Sequence, residues 1–112
     1  MEIRERMSGP IAIVELSGRL TINDQPGQLK DTVTGVLARG ARHVLLDLSH
    51  VNYIDSTRLG ELIAAHISVS RQNGVLRLIG TPDRILELLS VAGLDGVFQH
   101  FPSEEDACQG LS

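Results

Sequence analysis

The chain has 112 residues, which fits one domain and suffices for one modest core without disulfides. Hydrophobic residues make up 42% of it and charged residues 21%, as in ordinary globular proteins, while only 3% aromatics predict an aliphatic core. The net charge of -4 and the scarcity of aromatics argue against nucleic acid or an anionic membrane as partner.

The chain shows no targeting or membrane signal. Its first residues mix both charges and lack the apolar core of a signal peptide. No apolar run approaches the ~20 residues that span a bilayer. We therefore expect a cytoplasmic protein without direct membrane insertion.

Metal and cofactor motifs are also missing from the sequence. Cys108 is the single cysteine, which excludes an intramolecular disulfide and a zinc site built on paired cysteines, and we interpret it as an incidental tail residue. The phosphate-binding and dinucleotide-binding glycine motifs are absent. The histidines lack metal-ligand spacing, namely His43, His50, His66 and His100. We predict no metal site and no cofactor, and His66 is interpreted as a satisfied residue at the edge of a core-facing stripe.

Glycine and proline divide the chain into short segments. The turn signal Ser8-Gly9-Pro10 separates two strands that should form a hairpin. Asn23 or Asp24 is expected to cap the first helix, with Pro26 near its first turn. The predicted elements are, in chain order, strand 2–7, strand 11–16, loop 18–25, a helix carrying Leu29, Val33, Val36 and Leu37, strand 43–48, helix 56–72, strand 75–79, a helix carrying Ile85, Leu86, Leu88 and Leu89, strand 96–101 and a short helix capped by Ser103.

The next two helices are predicted from periodic positions and from end signals. In helix 56–72 the periodic positions are Leu59, Leu62, Ile63, His66, Ile67 and Ser70. Thr81 is expected to cap the third helix with Pro82 in its first turn, and Gly93 to end it. The alternation of strands and helices predicts an α/β fold with a single mixed sheet of four to five strands and about four helices. Function is then expected at the strand-to-helix loops.

The most informative stretch runs from Val44 to Gly60. An apolar strand leads into a short loop that ends on Asp55 and Ser56, where an amphipathic helix starts. A hydroxyl in that place can be a helix cap, a phosphate acceptor, or both. Asp55 could orient the Ser56 hydroxyl or simply serve turn chemistry.

This arrangement resembles the STAS domain, and most of all the bacterial anti-sigma factor antagonists. The motifs that carry the likeness are Leu46-Asp47-Leu48 leading to Asp55-Ser56-Thr57-x-Leu59-Gly60, the segment 16–20 (Leu-Ser-Gly-Arg-Leu), and the segment 91–98 (Val-Ala-Gly-Leu-Asp-Gly-Val-Phe). The likeness spans nearly the whole chain and implies a single STAS domain over residues 1–112.

The resemblance implies a regulatory binding protein and not an enzyme. Unphosphorylated members bind an anti-sigma factor, often a serine-protein kinase, which phosphorylates the serine after the motif aspartate; a phosphatase reverses the mark. That serine corresponds to Ser56, with Thr57 as the competing acceptor. The expected partner-binding residues are Thr21, Asn23, Asp24, Asp55, Ser56, Thr57, Arg58 and Gly60.

Two positions depart from the family pattern. Arg58 stands where a small residue is usual, and Thr21 where many antagonists carry an acidic one. Arg58 could be a solvated surface charge, or it could pair with a partner carboxylate or with phosphate on Ser56. Gly60 suggests a close approach to the helix, by the domain's own sheet or by a partner.

Other functions are compatible with parts of the pattern. A constitutive STAS subunit of a larger assembly, such as a stress-signalling scaffold or the accessory protein of a phospholipid-transport ABC system, is the main alternative. A small enzyme or nucleotide binder comes third. A serine hydrolase is disfavoured because His66 lies ten residues along the helix from Ser56, a rise of ~15 Å.

Overall fold

The first two strands form a β-hairpin, and the second of them pairs with the rest of the sheet. The computed structural model describes residues 2–20 and 27–111. In this part of the chain the elements are β1 (Glu2–Ser8), β2 (Ile11–Leu20), α1 (Gln28–Ala38), β3 (His43–Ile54), α2 (Ser56–Arg71), β4 (Leu76–Ile79), α3 (Asp83–Val91), β5 (Gln99–Phe101) and α4 (Glu104–Cys108).

One mixed sheet has the strand order β1-β2-β3-β4-β5. The hairpin pair β1–β2 is antiparallel, and each later strand lies parallel to its neighbour across a helical connection. The α/β class and the single mixed sheet are therefore confirmed. With parallel strands, the carboxyl ends of β3 and β4 lie at the same edge of the sheet, and α2 and α3 start there.

Helices α1, α2 and α3 cover one face of the sheet. Their buried residues join alternate residues of β2, β3 and β4 in one aliphatic cluster that includes Leu46, Leu62 and Leu89. The opposite face has a smaller cluster, Ile11, Ile13, Leu45, Ile79 and Ala107, where α4 is the covering helix. The helical layer is thus thick on one face and thin on the other.

Helix α4 is attached to the sheet by polar contacts as well as by Ala107. Arg77 Nη1 on β4 donates to the carbonyls of Ala107 at 3.0 Å and Gln109 at 2.8 Å. Arg6 on β1 pairs with Glu104 and Glu15. The hydrogen bond to Glu104, and to a smaller extent the one to Glu15, raises the pKa of Arg6 above its usual value. Cys108 is half-buried against this cluster, so it is more than an incidental tail residue.

Two strands are longer than their sequences suggested. β2 continues to Leu20 through residues expected to form a loop, and β3 runs on to Ile54. The β2–β3 register shifts twice: Glu15 and Ser17 face Asp47 and His50, and Gly18 and Arg19 face Val51 and Tyr53, so that β3 gains one residue at each shift. These extra residues break the period-two pattern by which a strand is recognised.

Several predicted caps and ends are corrected. The N-cap of α3 is Pro82 and not Thr81, whose Oγ1 is buried without a hydrogen-bond partner among the described residues. The N-cap of α1 is Gly27, in the left-handed conformation with φ 78°, while Asn23, Asp24 and Pro26 lie outside the described residues. β5 is shortened to three residues. The Ser103 cap is confirmed, since its Oγ accepts the Asp106 N–H at 3.2 Å.

The core-facing stripe of α2 also differs from the expectation. The buried residues are Arg58, Leu59, Leu62, Ala65 and Val69. Ile67, expected on the stripe, is 44% exposed. The true stripe lies one residue off at its C-terminal end, where Ala65 and Val69 are buried in place of His66 and Ser70.

Candidate functional site

The site is the junction where β3 ends and α2 begins. Asp55 is extended, and its carboxylate accepts the Arg58 N–H at 2.9 Å, which makes it the N-cap of α2. The Asp55 N–H donates to the Leu20 carbonyl at 2.9 Å, which ties the junction to the end of β2. The start of α2 is therefore held by a capping contact within the helix and by a backbone contact to β2.

Ser56 is the first helical residue and is exposed. Because Asp55 performs the capping, the interpretation of Ser56 as the cap is wrong. Ser56 Oγ makes no hydrogen bond to another described residue, and the neighbouring Thr57 is exposed as well. An anion at this position would meet the positive end of the helix dipole. The geometry can accommodate a phosphoryl group without displacing a structural contact.

Arg58 is the largest departure from expectation in the site. Its side chain is fully buried, and Nη1 pairs with Glu61 Oε2 at 2.5 Å. The expectation of a solvated surface charge is therefore wrong. Glu61 is itself only 14% exposed, and its Oε1 is buried without a hydrogen-bond partner among the described residues. The Arg58 side chain therefore does not belong to the exposed surface of the junction.

Gly60 lies on the exposed side of α2. A Cβ built there would have no atom of the described residues within 4 Å, so the sheet does not approach this helix position. The interpretation that Gly60 packs against the domain's own sheet is wrong. Ser56, Thr57 and Gly60 are all exposed at the start of α2.

An apolar groove opens beside Ser56. It has a volume of about 700 Å³ and lies between the β3–α2 junction and α3. Its apolar lining comes from Ile54, Leu59, Ile85, Leu88, Val91 and Ala92, and its other lining residues are Tyr53, Asp55, Ser56, Arg84 and Glu87. The sequence reasoning missed the α3 contribution; the available signal was Val91, an apolar residue off the buried stripe of its helix.

The first-loop residues expected to bind a partner lie outside the described part of the chain. They are Thr21, Asn23 and Asp24. Leu20, the residue before them, contacts Asp55 through the backbone. The structure thus brings together Asp55, Ser56, Thr57 and Gly60 on one surface and turns Arg58 away from it.

Hydrolytic chemistry has no support in the serine and histidine geometry. Ser49 Oγ donates to Asp47 Oδ1 at 2.6 Å and lies 3.3 Å from His50 Nδ1, so the serine stands between the acid and the imidazole. A catalytic triad needs the imidazole in the middle. His66 packs edge-on against Phe98, and its Nδ1 is buried without a partner among the described residues, which corrects its interpretation as satisfied.

The described residues contain neither a metal-binding cluster nor a membrane-spanning helix. Among residues 2–20 and 27–111, no group of three or more histidine, cysteine or acidic side chains could hold a metal ion. The helices in these ranges are too short or too polar to cross a membrane.

Comparison with known proteins identifies the family of this chain. The family described as "Mlab, STAS domain" matches residues 3–100. The chain is 30% identical over 81 residues to an anti-sigma-B factor antagonist of Staphylococcus aureus, covering 72% of this chain and 74% of that protein.

Two solved structures of the anti-sigma factor antagonist SpoIIAA share the fold. The unphosphorylated form gives a TM-score of 0.80 at 13% identity, covering 96% of this chain and 95% of that one. The phosphorylated form, from Bacillus, gives 0.76 at 14% identity, covering 99% of this chain and 100% of that one. With the matched family spanning nearly all of its length and the same sheet and helices, this chain belongs to the STAS domain family.

Proposed function

We propose that this protein is an anti-sigma factor antagonist that is switched off by phosphorylation of Ser56. Its partner is an anti-sigma factor of the serine-kinase type, and a phosphatase restores the active form. The staphylococcal relative carries the name of such an antagonist, and SpoIIAA has been solved in both phosphorylation states. The role is binding rather than catalysis.

The exposed Ser56 hydroxyl beside an apolar groove is the observation that supports this function best. A phosphate there adds about -1.5 to -2 charges to a surface that a partner would cover. Burying an unpaired charge costs several kcal/mol, and a loss of ~4 kcal/mol weakens binding about a thousandfold. The fold itself would stay intact, because Asp55 and not Ser56 caps the helix.

The test combines the purified protein with each anti-sigma factor of its own organism, with and without ATP and Mg²⁺. Mass spectrometry should find phosphate on Ser56, and the Ser56→Ala variant should bind the partner yet accept no phosphate there. Phosphate on Thr57 alone would reassign the acceptor. Neither phosphorylation nor binding with any of them would contradict the proposal.

A charge variant of each of two serines on α2 tests the switch. Ser56→Asp should lose most of its affinity for the partner, whereas Ser68→Asp, at another exposed position of the helix, should bind like the parent. Full binding by Ser56→Asp, together with copurification of a large assembly, would instead favour the constitutive STAS subunit.

A further inference from the structure

The groove next to Ser56 carries large hydrophobic side chains that are exposed. Val91 is 87% exposed and Tyr53 40% exposed, although both are large hydrophobic side chains. They lie on one continuous surface with the half-buried Leu88 and the site serine. Exposed apolar surface of this kind is typical of sites that another molecule covers.

Arg84 places a cation on the rim of this groove. Its Nη1 donates to the Asn52 carbonyl at 3.1 Å, which holds the guanidinium next to the end of β3. Among the described residues it has no carboxylate partner. In that part of the chain three arginines, Arg6, Arg39 and Arg58, form ion pairs with glutamates, and Arg84 is among the arginines that do not.

The acidic residues of the groove do not neutralise this cation. Asp55 is engaged in capping α2, and Glu87, one turn along α3, is exposed and makes no ion pair with Arg84. A second arginine, Arg19, stacks on Tyr53 with its guanidinium carbon 4.6 Å from the ring centroid. A guanidinium offers five N–H donors in a planar fork suited to a carboxylate, and one carbonyl uses only part of that capacity.

We infer that the groove receives a segment of the partner protein that carries a large apolar side chain next to an aspartate or glutamate, and that Arg84 binds this carboxylate. The inference rests on the proposed function and specifies its contact chemistry. The apolar side chain covers Leu88 and Val91, while the carboxylate completes the hydrogen bonding of Arg84.

The same contact explains how one phosphate could release the partner. Ser56 and Arg84 line the same groove, so a phosphate on Ser56 repels the incoming carboxylate and offers Arg84 an anion within the same molecule. Phosphorylation then acts by competition for Arg84 in addition to the desolvation of the new charge. The two charges should therefore be energetically coupled.

Affinity for the anti-sigma factor tests the contact. Arg84→Gln and Val91→Ser should each bind at least ~10-fold more weakly, as truncated anchors and charge partners at interfaces do. Arg71→Gln and Ile67→Ser, matched changes on exposed α2 residues outside the groove, should bind like the parent. In the Arg84→Gln background, the Ser56→Asp penalty should shrink by roughly 10-fold if the two charges are coupled.

A partner-independent measurement separates this inference from the proposed function. With phosphoserine incorporated at position 56, a phosphorus NMR titration should give a lower second phosphate pKa in the parent and Arg71→Gln than in Arg84→Gln. Equal pKa values in all of them would overturn the role of Arg84, whether or not a partner has been found. If Ser56→Asp releases the partner while Arg84→Gln and Val91→Ser bind normally, the groove inference fails and the proposed function stands.

Discussion

Arg58 lies next to the candidate site in the sequence, but its side chain does not reach the exposed surface of that site. It follows Ser56 and Thr57 in the chain, yet it is fully buried and paired with Glu61 one turn later. A buried ion pair contributes little net stability, but removing one partner strands the other charge. The pair should therefore matter to the fold more than to recognition.

This asymmetry gives a prediction for Arg58 and Glu61. Arg58→Met should lower the free energy of unfolding by roughly 3 kcal/mol, because the Glu61 carboxylate loses its cation. The double variant Arg58→Met/Glu61→Met should recover most of that loss. Urea titrations followed by circular dichroism measure both. A double variant as unstable as the single one would contradict this account.

Gly60 offers a second prediction at single-residue scale. Gly60→Ala and Gly35→Ala, both in helix interiors with nothing near the added methyl group, should each raise stability by up to about 1 kcal/mol. If a partner covers the surface beside Ser56, only Gly60→Ala should weaken binding. Thermal unfolding and binding titrations of the two variants provide the comparison, and equal affinities would argue against a partner at Gly60.

At the scale of elements, the β3–α2 junction divides two tasks between adjacent residues. Asp55 holds the first helical turn through the Arg58 N–H, while Ser56 projects into solvent. The capping contact and the exposed hydroxyl therefore belong to different side chains.

The division predicts unequal effects of two alanine substitutions. Asp55→Ala should cost about 1 kcal/mol of stability, as lost N-caps do, and Ser103→Ala, the cap of α4, provides a matched control. Ser56→Ala should change stability by less than ~0.5 kcal/mol, as is usual for exposed positions. Denaturant unfolding measures each, and a large loss for Ser56→Ala would return the capping role to it.

The order of elements could be predicted from sequence because hydrophobic spacing and turn residues are local signals. The second half of β3 could not, since its register shifts put paired polar residues where alternation was expected. Ser56 was correctly expected on the surface from its position before a helix. The burial of Arg58 depends on tertiary packing; the available hint was the acidic Glu61 three residues later. The α3 side of the groove forms by contacts between residues far apart in the sequence, and its one local signal was the apolar Val91.

For the molecule as a whole, the two faces of the sheet differ in how firmly they are covered. One carries three helices, while on the other α4 is the covering helix, with five residues. Arg77 donates two hydrogen bonds to backbone carbonyls of that helix and of the residue after it, near the half-buried Cys108. The thin side should open first, and the thiol reports on it.

The reactivity of Cys108 therefore provides a whole-molecule prediction. Arg77→Met should speed its labelling by a thiol reagent about 10-fold, because losing hydrogen bonds from a charged donor costs ~1.5 kcal/mol or more and a factor of ten corresponds to 1.4 kcal/mol. Arg71→Met, an exposed arginine on the other layer, should leave the rate unchanged. Labelling followed by absorbance under native conditions measures it, and identical rates would mean that Arg77 does not hold α4.

The two extra residues in β3 determine which insertions and deletions this strand can accept. Each reverses the side on which later side chains emerge, and since there are two, Ile54 points inward as Leu48 does. Removing one of the two extra residues would turn Ile54 outward and change the direction of Ser56. Removing both would leave Ile54 pointing inward. Insertions and deletions in β3 before Ser56 should therefore be tolerated in even numbers and selected against in odd ones.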